Sequence, residues 1–272
     1  MRNHIVILAA ALALAITLVE GVHSVRGQGG SPAARSKAQK SAQAPDLSGE
    51  WLPDPPGCGW NPDDPQCSKL EDGTPYQPWA LQKLKSERAG YGQNATFEDT
   101  TDPYMKYCDP YVNPRIFFNP TKFKFIQTAD TVYILNEMGP FWQQVAMNRK
   151  THPPDTDPQW WGDSIGWYEG DTFVVDMVGF NDRTWLDQVG RPHTDQLHLI
   201  ERFRRVDSEH LELNITFDDP KAYTKAWTGK KVFKASHTGM GRYMWVCDVR
   251  ANQRFDSDFE KPAAIPTTPA AK

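Results

Sequence analysis

Two acidic residues in otherwise apolar strand patterns are the first candidates for chemistry. Asp176 lies between valines in the segment 171–180, and Glu201 interrupts an apolar alternation in the segment 197–206. A carboxylate among apolar side chains has to be paired, hydrogen-bonded or protonated, and a carboxylate perturbed in this way can act as a general acid or base. We therefore predict that both side chains point inward as catalytic residues. The alternative is a structural role, with each carboxylate held by an arginine or a tryptophan N–H.

Two histidines lie close to these acids in the sequence HTDQLHLIE (193–201). His193 and His198 are candidate acid–base partners, and imidazoles this close to carboxylates also suit a metal site. However, His198 and Glu201 are an odd number of residues apart, so they face opposite sides of a regular strand. We therefore prefer an acid–base role to a metal site, and plain structural histidines are the main alternative.

Two loop segments supply the candidates for ligand binding. The loop 151–164 is acidic and proline-rich, and it contains adjacent tryptophans that can stack on a flat ring. The segment 181–187 follows an apolar strand and begins with polar residues that can orient a substrate. A tryptophan-capped barrel end and a turn held by side-chain hydrogen bonds are the respective alternatives. The predicted ligand-binding residues are Trp142, Trp160, Trp161, Asn181, Asp182, Arg183 and Tyr223.

The sequence lacks the motifs of the common nucleotide enzymes, serine hydrolases and zinc proteases. It contains no GxSxG, no phosphate loop, no GxGxxG after a strand and no HExxH. The formal net charge is −4, and the basic cluster Arg35, Lys37 and Lys40 precedes the predicted folded body. Because an acidic body does not suit a phosphate backbone, we predict a small-molecule ligand or substrate and no nucleic-acid partner. We predict neither a cofactor nor a metal.

The two ends of the chain differ in composition from its centre. Residues 5–19 are an uncharged apolar run, typical of a signal-peptide core and short for a membrane span. We predict a signal peptide over 1–27, a flexible linker over 28–45, a single β-rich domain over 46–259 and a disordered tail over 260–272. The protein is then periplasmic or secreted, without a stable membrane span after signal cleavage. An uncleaved N-terminal anchor is the alternative.

All four cysteines lie within the predicted domain. In an oxidising compartment an even number suggests two disulfides, for which three pairings are possible. We favour Cys58 with Cys67, because the loop between them is rich in proline, aspartate and glycine. Cys108 would then pair with Cys247. A zinc–thiolate site is the rival interpretation, but the spacings contain no CxxC pair.

Short alternating segments separated by turn residues dominate the chain from residue 115 onward. Strands are predicted at 122–128, 131–137, 141–147, 164–170, 171–180, 197–206, 210–219, 230–236 and 242–249. The one helix candidate runs from Pro78 to Arg88, with proline at its start and Gly90 beyond its end. The pattern predicts an all-β fold, either an antiparallel lipocalin-like barrel or a closed sandwich of about 8–10 strands, with one short N-terminal helix.

Several segments together resemble a family of exported bacterial proteins that are largely uncharacterised. They are DLSGEW (46–51), FKFIQT (123–128), the block 160–187, PHTDQLHLIERFRR (192–205) and DDPKAYTKAW (218–227). The resemblance spans nearly the whole predicted domain, and the block 160–187 is its most specific part. The family often has histidine at the position of Asp163, so this chain departs from the pattern there. The resemblance implies a single exported domain and directs attention to residues 160–205, but it implies no reaction.

Three hypotheses for the function follow. The first is an exported β-barrel that binds a small aromatic or lipophilic molecule, since barrels of this size can enclose one such ligand. The second is an enzyme, a cofactor-independent lyase, isomerase or hydrolase, on the same barrel. Asp176 or Glu201 would be its acid or base, with His193 or His198 as the partner. The third is a structural envelope protein held together by tryptophan packing and disulfides.

Overall fold

The structure is a computed structural model that describes residues 44–61, 63–64, 66–96, 98–139, 141–241 and 247. The predicted signal peptide, nearly all of the linker and the tail lie outside these residues. The strand predicted at 242–249 also lies outside them, apart from Cys247. No helix within the described residues is long and apolar enough to cross a membrane.

Within the described residues, nine strands form one closed barrel in sequence order, and pairing of the first strand with the last closes the ring. The strands are β1 (Glu50–Pro53), β2 (Phe123–Gln127), β3 (Thr131–Asn136), β4 (Trp142–Ala146), β5 (Asp163–Glu169), β6 (Thr172–Val178), β7 (His198–Arg205), β8 (His210–Asp218) and β9 (Trp227–Ser236). The helices are α1 (Pro78–Ser86), α2 (Pro103–Tyr107) and a 3-10 helix (Arg115–Phe118).

Most of these elements agree with the sequence-based prediction. The all-β barrel is confirmed, and each strand predicted between residues 122 and 236 corresponds to one of β2–β9. The predicted helix is α1, which ends at Ser86, two residues before the predicted end. The sequence did not predict β1, α2 or the 3-10 helix, because elements of four or five residues are too short to show a periodic pattern.

The direction of the strands places most of the long loops at one end of the barrel. All neighbouring pairs are antiparallel except β4 and β5, which pair in parallel through Ala146 and Ile165. The loop 147–162 therefore has to cross the outside of the barrel between them. Strands β1, β6 and β8 all finish at the same side of the barrel, which we call the upper end. The segments 54–122, 179–197 and 219–226 all lie there.

Aromatic rings fill the interior of the barrel. Phe117 projects from the 3-10 helix into the ring of strands and packs against Phe123, Phe203 and Phe233, with ring centroids 5.3, 5.7 and 5.8 Å away. These three rings belong to β2, β7 and β9, and all four are buried. Since inward side chains fill a barrel of this size, the interior is a packed core.

Two disulfides hold the segments at the upper end. Cys58 pairs with Cys67 and Cys108 with Cys247, with Cα–Cα distances of 6.0 and 5.5 Å. This is the pairing that the sequence favoured. No cysteine is left as a free thiol in the described part of the chain, which contains all four, so the zinc–thiolate alternative is wrong.

Truncation of Phe117 tests whether this ring is part of a packed core. We expect Phe117→Ala to lower the free energy of unfolding by about 3–5 kcal/mol, because it removes a buried ring and leaves a cavity. Ile126→Ala is the control, since Ile126 lies on β2 with 42% of its surface exposed. Urea denaturation measures both variants. Equal losses in the two would contradict the packing described here.

Candidate functional site

The two candidate acids lie on opposite faces of the barrel wall. Glu201 pairs with Val175 across the β6–β7 ladder and faces the interior, whereas Asp176 pairs with Ile200 and faces outward. The prediction that both acids point inward is therefore wrong for Asp176. The sequence could not separate the two faces of β6, because Val174 on the outer face is as buried as the inward residues and His152 of the loop 147–162 contacts Asp176 there.

Asp176 belongs to a chain of alternating acidic and basic side chains on this outer face. Its Oδ1 atom lies 2.7 Å from Nε2 of His198 and 3.2 Å from Nε2 of His152. The Nδ1 atom of His152 lies 2.6 Å from Asp163 Oδ2, and Arg149 donates to the other oxygen of Asp163 at 2.7 Å. His152 therefore bridges the two carboxylates, with one ring nitrogen near each.

The hydrogen bonds within this cluster shift the pKa values of its members. Partial burial would raise the pKa of Asp176, but the hydrogen bonds from His198 and His152 outweigh it and lower the pKa. The hydrogen bond to Asp176 in turn raises the pKa of His198, against the opposing effect of partial burial. Within the described residues, no group of three or more His, Cys, Asp or Glu side chains has the arrangement of a metal site.

Glu201 is fully buried inside the barrel, away from this cluster. Neither of its carboxylate oxygens has a hydrogen-bond partner in the described residues, and the same holds for Oδ1 of its neighbour Asn113. Burial raises the pKa of Glu201 to about 8, with a smaller opposing effect from Asn113. At neutral pH the side chain is therefore mainly a neutral acid enclosed by the core, without a contact to His193 or His198.

His193 lies in a third place, in the segment 179–197 at the upper end. Its Nε2 atom is 2.8 Å from the hydroxyl of Thr184, and its Nδ1 atom is 3.2 Å from the carbonyl oxygen of Thr194. Burial lowers the pKa of His193, so the imidazole is neutral at pH 7. It lines a cleft together with Asp182 and Arg183, two of the predicted ligand-binding residues.

The other predicted ligand-binding residues do not share a single site. Trp142 is half exposed on β4, and the guanidinium of Arg183 lies 4.7 Å from the ring of Trp160. Trp161 packs against Phe141, Asn181 accepts a hydrogen bond from the backbone of Arg183, and Tyr223 is buried with its hydroxyl bonded to Pro192. Their positions match the alternative interpretation of turns and tryptophan packing.

A cavity of about 700 Å³ lies at the upper end of the barrel, and we call it the barrel-end cavity. It is bounded by the end of β1, the residues before β2, the residues after β3 and parts of the segment 90–119. Most of its exposed wall is apolar. The large apolar and aromatic side chains in this wall are Leu52, Tyr91, Tyr104, Met105, Tyr111 and Met138.

The charged groups of this wall are paired with each other. The guanidinium of Arg115 is buried and binds both carboxylate oxygens of Asp102, one of them at 2.7 Å. It also lies 4.4 Å from the ring centre of Tyr111. On the opposite side, Lys122 and Glu137 form an ion pair at 3.5 Å. The cavity therefore carries no net charge from these four side chains.

Two polar groups of the wall have no hydrogen-bond partner among the described residues. They are the hydroxyl of Tyr104 and the Nε atom of Arg115, and both atoms are buried. Burial raises the pKa of Tyr104 to about 12, so its hydroxyl keeps its proton. The wall of the cavity thus contains two buried polar atoms without a partner among the described residues, beneath a mainly apolar surface.

Sequence reasoning missed this cavity because its lining residues are spread from Leu52 to Gln188. No single motif contains them, and none lies in the block 160–187, although Gln188 follows that block directly. The available signal was local: tyrosines at positions 91, 104, 107 and 111 precede the regular strands. Asp102 followed by Pro103 also marks the start of α2, whose N-cap is Asp102.

Substitution of Glu201 tests the buried acid. Its raised pKa does not lower the free energy of unfolding below pH 4.5. Above that pH the free energy of unfolding falls progressively until the pH reaches about 8. At pH 7 this decrease amounts to about 3 kcal/mol, from roughly 1.4 kcal/mol per pH unit. We expect the stability of Glu201→Gln relative to the wild type to increase from pH 5 to pH 8. Urea denaturation at each pH measures this difference. A stability difference that does not change with pH would contradict this assignment.

Substitution of His198 tests the outer cluster. Because the folded-state pKa of His198 is raised, its stabilising effect is present at acidic pH and is lost as the pH rises through that value. We expect His198→Gln to cost at most about 1 kcal/mol at pH 5.5, since the side chain is partly exposed, and less at pH 9. His210→Gln, at an exposed pair with Asp207, is the control. A larger loss for His198→Gln at pH 9 than at pH 5.5 would refute the assignment.

Comparison with known proteins supplies no identity for this arrangement. No protein-family model, no curated protein and no solved structure matches the chain. The functional interpretation therefore depends on the geometry of the cavity, the cleft and the charged cluster.

Proposed function

We propose that this protein binds a small, neutral and largely apolar molecule in the barrel-end cavity. The observation that carries the proposal is a cavity of about 700 Å³ whose exposed wall is mainly apolar and includes three tyrosines and two methionines. Ligand sites in proteins commonly have volumes of about 300–1,000 Å³ and apolar walls with a few polar groups. The site differs from the one first expected, because phenylalanine rings occupy the barrel interior.

The pairing of charges supports a neutral ligand. Arg115 is matched by Asp102 and Lys122 by Glu137, so a charged ligand would have to break a pair or stay unpaired in the wall. The mainly apolar exposed wall favours an apolar ligand. A small neutral aromatic molecule has this combination of properties.

We further propose that the protein works outside the cytoplasm, in the periplasm or after secretion. The two disulfides support this location, because such bonds persist in oxidising compartments. The apolar run at residues 5–19 is consistent with a signal peptide. The formal net charge of −4 supports a small-molecule partner over a nucleic acid.

The enzyme hypothesis based on Asp176 and Glu201 has less support. The two carboxylates face opposite sides of the barrel wall, and of the predicted acid–histidine pairs only Asp176 and His198 are in contact, at 2.7 Å. Glu201 is enclosed by the core, and Asp176 is bonded to two histidines on the outer surface. A structural role for each accounts for these contacts.

Two fluorescent probes with the same ring skeleton test the proposal. N-phenyl-1-naphthylamine is neutral, and 8-anilino-1-naphthalenesulfonate adds one sulfonate to it. We expect the neutral probe to bind at one site per chain and at least 10-fold more tightly than the sulfonate, because a charge in this wall has no partner. Fluorescence titration of the full chain gives both dissociation constants. Absence of saturable binding, or tighter binding of the sulfonate, would contradict the proposal.

Two tyrosine variants locate the bound probe. Tyr91 lines the barrel-end cavity and Tyr107 does not, yet the two are similarly exposed, at 55% and 57%. We expect Tyr91→Ala to weaken binding of N-phenyl-1-naphthylamine about 5- to 30-fold through loss of aromatic contact, and Tyr107→Ala to change it less than about 2-fold. Equal effects in the two variants would place the probe elsewhere.

A further inference from the structure

A second recess lies across the segment 100–103 from the barrel-end cavity, and we call it the cleft. Thr101 and Pro103 line the cleft, whereas Thr100 and Asp102 line the cavity. The cleft has a volume of about 350 Å³, and its wall includes Thr184. The structure of this wall suggests a chemical activity that is independent of ligand binding in the cavity.

We propose that Thr184 and His193 form a nucleophile–base pair that hydrolyses small carboxylic esters in the cleft. Both residues line the cleft, and the Thr184 hydroxyl lies 2.8 Å from Nε2 of His193. A hydroxyl within hydrogen-bonding distance of an imidazole, itself oriented by a third group, is the arrangement that activates serine and threonine nucleophiles. The pair does not depend on a GxSxG motif, which the sequence lacks.

The hydrogen bonds of His193 fix which of its nitrogens acts as the base. The carbonyl oxygen of Thr194 only accepts, so Nδ1 of His193 carries the proton and donates to it at 3.2 Å. The Nε2 atom is then unprotonated and accepts a hydrogen bond from the Thr184 hydroxyl. Burial keeps this imidazole neutral, which leaves the base free at pH 7.

Two carboxylates are placed to stabilise the imidazolium that forms when His193 takes a proton. Asp219 accepts from the backbone N–H of Thr194 at 2.6 Å and from its hydroxyl at 2.8 Å, and so holds the residue that orients His193. The charges of Asp219 and Asp182 both favour protonated His193. Asp219 is thus a positioning residue that acts on His193 through Thr194. In a catalytic triad the carboxylate contacts the histidine directly.

The cleft also contains a positive charge that has no acidic partner among the described residues. Lys83 pairs with Glu87, and Arg183 pairs with Asp109. The ammonium of Lys106 lies 5.4 Å from the ring centre of Tyr107, and no carboxylate of the described residues forms an ion pair with it. A flexible cation at the cleft can attract the negative charge that develops on an ester carbonyl oxygen.

The reaction needs only an ester and water. The Thr184 oxygen bonds to the ester carbonyl carbon while its proton passes to Nε2 of His193. The bond from that carbon to the alcohol oxygen then breaks, and the leaving alcohol takes the proton from His193. Water repeats the sequence on the acyl-threonine, releasing the carboxylic acid and restoring the hydroxyl.

The test uses 4-nitrophenyl acetate as the substrate and a fluorophosphonate as the covalent probe, with the full chain. We expect Thr184→Val and His193→Gln each to lower kcat/KM at least 100-fold, and Thr184→Ser to keep at least one tenth of it. Thr128→Val and His210→Gln are the controls, since both lie outside the cleft, and we expect changes below 2-fold. Peptide mapping of the wild type should find the fluorophosphonate on Thr184.

Two results would overturn the proposal: undiminished turnover in Thr184→Val, or no label on Thr184 of the wild type. Circular dichroism shows whether each variant is folded. If Thr184→Val does not fold, Thr184→Ser and the labelled residue in the wild type decide the question. Binding of N-phenyl-1-naphthylamine in the barrel-end cavity is measured separately, so failure of one proposal leaves the other distinguishable.

Discussion

The packing of Phe117 inside the ring of strands is the contact on which the rest of the structure depends. The ring fills the centre of the barrel, between β2, β7 and β9, although it comes from a segment outside the sheet. Arg115, two residues before Phe117 in the sequence, is buried in the wall at the upper end. A buried guanidinium requires a carboxylate, which Asp102 provides. Asp102 also caps α2 by accepting a hydrogen bond from the backbone N–H of Tyr104. This cap helps to place the Tyr104 side chain in the cavity wall.

One short segment separates the two candidate sites. Residues 100–103 contribute alternately to the barrel-end cavity and to the cleft, so the position of α2 affects both. The two recesses differ in chemistry. The cavity has aromatic walls and paired charges, which suit a neutral apolar molecule. The cleft has a hydroxyl hydrogen-bonded to a neutral imidazole, and its Lys106 ammonium forms no ion pair within the described part of the chain, which suits a reaction at a polar carbonyl.

The sequence predicted the regular part of this structure and missed the irregular part. Strands β2–β9 follow from period-2 alternation between turn residues, and the inward position of Glu201 follows from the same alternation. The side of the wall occupied by Asp176 did not follow, because both faces of β6 are covered. His152 comes from a crossing loop, and its contact with Asp176 depends on the path of that loop. Neither the cavity nor the Thr184–His193 pair forms a sequence motif, since their residues meet only in the folded chain.

We propose that the ligand site lies at the upper end of the barrel, because phenylalanine rings fill the interior. Crystals grown with 4-bromophenol test this directly, because anomalous scattering locates the bromine without reference to the protein. We expect one strong bromine peak in the barrel-end cavity, near Tyr104 and Met138. A peak among the phenylalanine rings of the barrel, or no peak at saturating 4-bromophenol, would contradict the account.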